Sequence, residues 1–244
     1  MDLKEAGCGV DTRTHWYYRT KRRPLDRYVA TVLATNTRGL DIVDVGAGSG
    51  AFSEGLIDRF HHRIRRVVRV DLHYAEVGQI QDPRVAGGVV EHRRDLPDAI
   101  DGAIVLLMDV LEHVPDDRGF LASVVAKCSG NSRVFITVPA FESLWSGKDE
   151  FLGHYRRYSL ASLCSVATAC HVTITRAYYM FGVFLPAAYV TRRFWHGADA
   201  DSDLRPAPAW VNALLTGIGA CDAAVCQWNR IGGVTAVVEG TIDA

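Results

Sequence analysis

The chain has 244 residues, with 27 basic against 28 acidic side chains and a formal net charge of −1. That balance argues against broad, sequence-independent nucleic-acid binding, which needs an extended basic face. With 48% hydrophobic and 23% charged residues, the composition is that of a globular chain that buries a core, not of a disordered one.

Six cysteines (Cys8, Cys128, Cys164, Cys170, Cys221 and Cys226) are scattered without a CxxC pair, and no Cys/His spacing matches a zinc site. Reduced thiols in a cytoplasmic protein are therefore expected, and no metal. The opening "MDLKEAGCGVD" has no apolar stretch behind basic residues, so no signal peptide is expected.

In chain order, a helix is predicted over 24–38 with Pro24 in its first turn. A strand follows at 41–45, a helix near 51–60, a strand at 66–70 and a helix near 74–80. "RRDLPD" then places Asp95 and Leu96 just past another strand. Further strands are predicted at 102–109 and 133–138, around a helix near 116–128. Ser159 reads as the N-cap of a helix reaching about residue 170. Strands at 172–179 and 233–240 close the chain.

The strands are nearly continuously apolar, as strands buried on both faces are, and they alternate with helices. That is the pattern of an α/β fold with a parallel sheet. About fifty residues separate the last two strands, too many for a simple connection. Residues 180–230, with a second helical run near 210–228, are read as a helical cap inside a single domain spanning 1–244. The uncharged run "AYYMFGVFLPAAYV" (177–190) is shorter than the roughly 20 residues needed to cross a bilayer, and Pro186 interrupts it. It reads as a buried or lid helix, with peripheral membrane contact as the alternative, because Arg192, Arg193 and Trp195 follow.

"DIVDVGAGSGAF" (41–52) carries the strongest chemical signal. A strand runs into Gly46, Gly48 and Gly50 and a helix follows, so main-chain N–H groups become open to a ligand. Gly46, Gly48 and Ala51 also satisfy a dinucleotide fingerprint, but Asp44 at the strand end suits an ammonium or sulfonium better than a pyrophosphate. Asp71 ends the second strand twenty-one residues beyond Gly50, where a carboxylate grips ribose hydroxyls.

Taken together, "DVGAGSGAF", Asp71, "DLP" and "MDVLEHVPD" (108–116) resemble the motifs of class I S-adenosylmethionine-dependent methyltransferases. The resemblance implies a Rossmann-like, seven-stranded, mostly parallel sheet. S-adenosyl-L-methionine would be the cofactor and S-adenosyl-L-homocysteine the product. Asp44, Gly46, Gly48 and Gly50 would hold the methionine part, Asp71 the ribose, and Asp95 and Leu96 the adenine, with Ala47 and Leu72 also counted as cofactor-binding. Met108, Asp109 and His113 would line the pocket. The rival readings are an inactive, methyltransferase-like binding protein and an NAD(P)-dependent oxidoreductase.

The ends of the chain resemble one bacterial small-molecule subgroup. "THWYYRTKRRPLDRYV" (14–29) is similar to its aromatic–arginine segment, which implies that 1–38 forms a lid with Tyr18 and Arg19 near the cofactor and Tyr17 near the substrate. "VPAFESLWSGKDEFLGHYRRYS" (138–159) resembles its VPA, LWS and GHxRRY motifs. It follows the fifth strand at the carboxyl edge of the sheet, where ligands of open α/β folds bind.

Trp145, Lys148, Tyr155, Arg156, Arg157 and Tyr158 are thus substrate-binding candidates, since an arginine fork recognises carboxylate or phosphate. An equally open role for Arg156 and Arg157 is to pair with Asp149 or Glu150 and tie the loop down. His154 and His113 are the candidate bases, and His113 could equally line the cofactor pocket or hydrogen-bond the main chain. The expected activity is methyl transfer to an oxygen or nitrogen of a small, acidic metabolite of natural-product or envelope biosynthesis. A lipid-linked sugar is the alternative acceptor.

Overall fold

The computed structural model describes residues 10–194 and 206–242. Cys8, Trp195 and residues 197–205 of the polar turn lie outside the described residues, as does the side chain of Arg193.

The chain opens with helix α1 (Trp16–Thr35), then β1 (Leu40–Val45), α2 (Ala51–Phe60), β2 (Ile64–Val70), β3 (Gly78–Gln81) and β4 (Val89–Arg93). Next come β5 (Ile100–Asp101), β6 (Ile104–Met108), α3 (Asp117–Val125), β7 (Cys128–Ser129) and β8 (Ser132–Pro139). Helices α4 (Gly147–Leu152) and α5 (Leu160–Ala169) precede β9 (Val172–Met180), α6 (Leu185–Phe194), α7 (Ala209–Val225) and β10 (Thr235–Ile242).

The main sheet has eight strands in the order β3-β4-β2-β1-β6-β8-β10-β9. From β4 to β8 all neighbours are parallel, while β10 lies antiparallel between β8 and β9, and β3 is antiparallel to β4. β5 and β7 form a separate two-stranded patch. Successive side chains of a strand face opposite ways, so a strand apolar on both faces needs two covering layers. Val43, Val45, Val105, Leu107, Val134 and Ile136 accordingly pack with Leu121, Val124, Leu163 and Val166 of α3 and α5. Leu40, Ile42, Ile104, Leu106 and Phe135 pack on the other face with Leu25, Tyr28, Val32, Leu56 and Ile57 of α1 and α2.

Three expectations about the elements change. Residues 74–80 form no helix; Gly78, Gln79 and Ile80 enter the exposed edge strand β3. Gly78 disfavours a helix, and the open edge of β4 offers its segment a hydrogen-bond ladder. Pro24 lies inside α1, which starts eight residues earlier than predicted. The start is fixed from a distance, because the Trp16 amide donates to Asn212 Oδ1 of α7 (2.8 Å). The aromatic run also packs away from solvent, with Tyr17 stacked on Phe181 at 5.4 Å and 7°.

Residues 177–190 are not one helix: Ala177–Met180 complete β9, Phe181 takes a positive φ of 59°, and α6 begins at Leu185. The Asp222 carboxylate accepts the Phe181 and Val183 amides there (2.7 and 3.1 Å). The predicted Ser159 cap does form, accepting the Ser162 amide at 3.0 Å.

Candidate active site

At the end of β1 the Gly46 and Ala47 amides both donate to the Val70 carbonyl of β2 (2.8 and 3.1 Å). Gly46, Gly48 and Gly50 all have positive φ. A Cβ on Gly46 would stand 2.6 Å from Val110 Cγ2, so only glycine leaves this turn its shape. The Gly48 amide donates to Asp71 Oδ2 (2.8 Å), and the His73 amide donates to Asp71 Oδ1 (2.9 Å). The carboxylate is thereby fixed at the tip of β2.

Beneath the turn, Asp44 is buried. Burial pushes its carboxyl pKa up, against the opposing pull of a Ser53 hydrogen bond and the Arg69 charge. Arg69 also donates to Ser53 Oγ (2.9 Å) and Glu54 Oε2 (2.8 Å), pinning the first turn of α2 to the sheet.

A cleft of about 870 Å³ opens at the carboxyl ends of these strands, where the strand order reverses between β1 and β6. Of the residues singled out in the sequence, Gly46, Asp71, Leu72, Asp95, Leu96, Asp109, His113 and Tyr155 line it. Ala47, Gly48 and Gly50 form the turn behind it, and Met108 is buried in the sheet core. Tyr18 is buried near Phe52 rather than in the cleft. Arg19 borders a separate cleft with Arg22, Arg23, Arg27 and Arg59, against α7.

Asp109 holds a left-handed φ of 56°, rare for a residue with a side chain and most tolerated by Asp and Asn. Thr137 Oγ1 donates to its Oδ1 (2.9 Å), and the buried Lys21 ammonium donates to its Oδ2. Burial would raise the Asp109 carboxyl, but Lys21 wins and holds it below the ordinary value. Lys21 also donates to the Tyr17 hydroxyl (3.2 Å). The sequence gives no reason to separate Lys21 from its neighbours Arg22 and Arg23; only the helix register turns it inward. Glu112 is the other residue sequence reasoning passes over. It is fully buried with neither carboxylate oxygen hydrogen-bonded, and burial together with the Asp109 charge raises its pKa well above the usual range.

The segment 138–159 turns its charges mostly inward. Arg157 is buried and forks onto Asp149 (Nε–Oδ1 2.8 Å, Nη2–Oδ2 3.0 Å), while its Nη1 donates to the Ala140 carbonyl (3.1 Å). Tyr158 is buried and donates to Asp117 Oδ2 (2.7 Å); Arg156 pairs with the same carboxylate at 3.2 Å. Trp145 Nε1 reaches Glu150 (3.5 Å), and Lys148 sits in the first turn of α4. Of the two roles left open for Arg156 and Arg157, the structure shows the tie-down.

His154 Nδ1 lies 2.8 Å from Asp149 Oδ1, and its ring meets His113 edge-on at 4.6 Å between centroids. Burial alone would raise Asp149, but the His154 hydrogen bond and the Arg157 guanidinium hold it well below the usual carboxylate range. The Tyr155 amide donates to the Glu112 carbonyl (2.7 Å), which ties this loop to the turn carrying Glu112 and His113.

The residues present fit S-adenosylmethionine. A fixed carboxylate, Asp71, suits ribose hydroxyls, Leu72 and Leu96 offer apolar surface to an adenine, and Gly46 lines the cleft without a side chain. An open α/β sheet with a glycine turn after β1, an acid at the tip of β2 and a cleft at the switch point is the architecture of the class I methyltransferases. A family model described as a methyltransferase domain matches residues 15–171, and the chain belongs to that family.

A ubiquinone biosynthesis O-methyltransferase of Aeromonas salmonicida is 31% identical over 108 residues, which is 41% of this chain and 43% of that protein. The chain thus matches less than half the length of this relative. Among solved structures, a protein of Burkholderia thailandensis described as a methyl transferase and bound to S-adenosyl-homocysteine matches with a TM-score of 0.56. The match is at 13% identity and covers 100% of this chain and 82% of that one. The plantazolicin methyltransferase BamL, in complex with a triazolic desmethylPZN analogue and SAH, matches with a TM-score of 0.53. That match is at 10% identity and covers 99% and 88% of the two chains.

Proposed function

We propose that the enzyme methylates a hydroxyl oxygen of a small acceptor bound at the His113–Tyr155 end of the cleft. The observation that carries this reading is the Asp149–His154 pair beside His113. Asp149 fixes one ring nitrogen of His154 and leaves Nε2 as the atom that takes the acceptor proton while the new O–CH3 bond forms. S-adenosylmethionine supplies a methyl group already activated by its sulfonium.

The chain's part is then to align and to exclude water. Asp71, Leu72, Asp95 and Leu96 hold the nucleoside, and Gly46 with the Lys21–Asp109 pair holds the amino-acid end. An acceptor that is already anionic gains little support. The arginines expected to bind it are engaged by Asp149 and Asp117, and the cleft keeps Arg94 and Lys127 as its arginine and lysine lining. The O-methyltransferase name of the Aeromonas relative supports oxygen over nitrogen.

The test compares His154→Ala and Asp71→Ala in calorimetry with S-adenosylhomocysteine and in a turnover assay on extracted metabolites. His154→Ala keeps product binding and loses turnover by about 10²–10⁴-fold. Asp71→Ala weakens binding itself. Full turnover in His154→Ala sinks the base assignment.

A second reading, an acceptor carried at a membrane surface, has one observation in its favour. Trp210, Leu214, Val225 and Trp228 stand exposed along α7 and the turn after it, next to the arginine cleft formed with α1. The helical run Ala209–Trp228, α7 with the turn after it, is long and apolar enough to cross a bilayer, but its Asn212, Thr216, Gly219 and Ala223 side packs on α1 and neighbouring turns. That fits a helix lying on lipid better than one spanning it. Cosedimentation with anionic but not neutral vesicles, lost in Trp210→Ser/Trp228→Ser, is the expected result; no sedimentation with either removes this reading.

A further inference from the structure

We propose that Glu112, His113 and His154 form a binding site for one divalent transition-metal ion, with Zn²⁺ the best match. One ligand atom from each of the three lies within 4.8 Å of the other two. The sequence expectation of no metal rested on local Cys/His spacing. Here two ligands come from the turn after β6 and the third from the loop after β8, so no spacing pattern announces them.

Two independent features point to a cation. The first is Glu112 itself. It is fully buried, yet neither of its carboxylate oxygens has a hydrogen-bond partner. A buried carboxylate left without partner is strongly disfavoured, and it is relieved by a proton or by a cation. Among the described residues, Asp109 and Asp149 take the nearby Lys21 and Arg157 as ion-pair partners, and Glu112 pairs with neither.

The second feature is the support behind His154. Asp149 Oδ1 takes its Nδ1 at 2.8 Å, and Asp149 is in turn clamped by Arg157 and the Ser146 amide. A carboxylate behind one ring nitrogen orients the other nitrogen and makes it a better donor to a metal.

Two imidazoles and one carboxylate with an open fourth position are the ligand set of a catalytic zinc site and also suit other first-row ions. Metal–ligand bonds of about 2.0–2.2 Å bring the ligand atoms closer than they now stand.

The site borders the methyl-acceptor end of the cleft through His113 and Tyr155. This goes beyond the proposed function, rests on it only for its consequence, and moves the deprotonating role from His154 to the ion. With the ion bound, His154 is a ligand, and the acceptor hydroxyl loses its proton to water because the cation stabilises the oxyanion.

The test begins with full-length protein dialysed against a chelator, then titrated with ZnCl2 in calorimetry and with CoCl2 in visible absorption at pH 7.5. One equivalent of Zn²⁺ bound at micromolar or tighter affinity is expected. The Co²⁺ form should show the d–d bands of a low-coordinate N/O site. Glu112→Gln and His113→Ala each weaken Zn²⁺ binding at least 30-fold, and the Glu112→Gln protein keeps its S-adenosylhomocysteine affinity. The exposed pair His61→Ala/His62→Ala, the obvious surface alternative, leaves Zn²⁺ binding unchanged.

Absence of a Zn²⁺ isotherm overturns the proposal, as does binding that survives both site variants or disappears in the His61/His62 variant. Should one site variant misfold, the other carries the test. Metal binding with full turnover in the chelated protein keeps the site and removes its catalytic consequence. Failure of methyl transfer with metal still bound removes the proposed function alone.

Discussion

Arg157→Met separates a substrate-binding arginine from a structural one. The side chain is buried, makes a two-pronged ion pair with Asp149 and a third hydrogen bond to the Ala140 carbonyl. Methionine fills comparable volume but leaves the Asp149 charge with His154 and the Ser146 amide and hydroxyl as its remaining polar partners. Removing one member of a buried pair costs about 3–5 kcal/mol, because the other charge stays desolvated. For a domain of this size about 2–4 °C of melting temperature is lost per kcal/mol. The expected fall is therefore about 6–20 °C in a thermal melt followed by circular dichroism.

Asp149→Leu on top of Arg157→Met should return part of that loss, since it removes the stranded charge. The outcome that refutes the argument is an Arg157→Met protein that melts within about 2 °C of the wild type while its turnover collapses, because that is how a substrate ligand behaves.

Asp26 and Gly46 carry two further predictions. Burial raises the Asp26 carboxyl to about 6 despite Arg22, Arg59 and Arg23 nearby. The folded chain therefore keeps a proton that the unfolded chain releases above about pH 4, so this residue's stabilising effect is full below pH 4 and is lost as pH rises through 6. Asp26→Asn should gain about 1–3 kcal/mol in urea unfolding at pH 7.5 and nothing at pH 4; a gain that is independent of pH contradicts the assignment. Gly46→Ala adds left-handed strain of about 1–2 kcal/mol and a clash with Val110. Calorimetry with S-adenosylhomocysteine should show at least a 10-fold loss of affinity that Val110→Ala relieves only in part. Unchanged affinity would mean the turn does not shape the cofactor site.

Much of this protein is legible in the residues themselves. Strands apolar on both faces announce a parallel sheet covered on both sides, because alternate side chains must each find a core. Three glycines between an apolar strand and a helix announce a turn that no Cβ permits. An acid at the tip of the next strand announces the cleft, because the carboxyl ends of adjacent parallel strands lie side by side. Local sequence carries these signals because each depends on backbone angles and period alone.

Tertiary structure decided the rest. Lys21 differs from Arg22 and Arg23 only in the face of α1 it occupies, and that face is set by Asn212, nearly two hundred residues away. "GHYRRYS" reads equally well as a ligand grip or as a tied loop. Its arginines point inward because Asp149 and Asp117, held by α4 and α3, stand where the forks can reach them. Glu112, His113 and His154 come together only when the β6 and β8 loops meet over the sheet edge. Such contacts depend on which loops the fold brings together, and no periodicity in the chain encodes that.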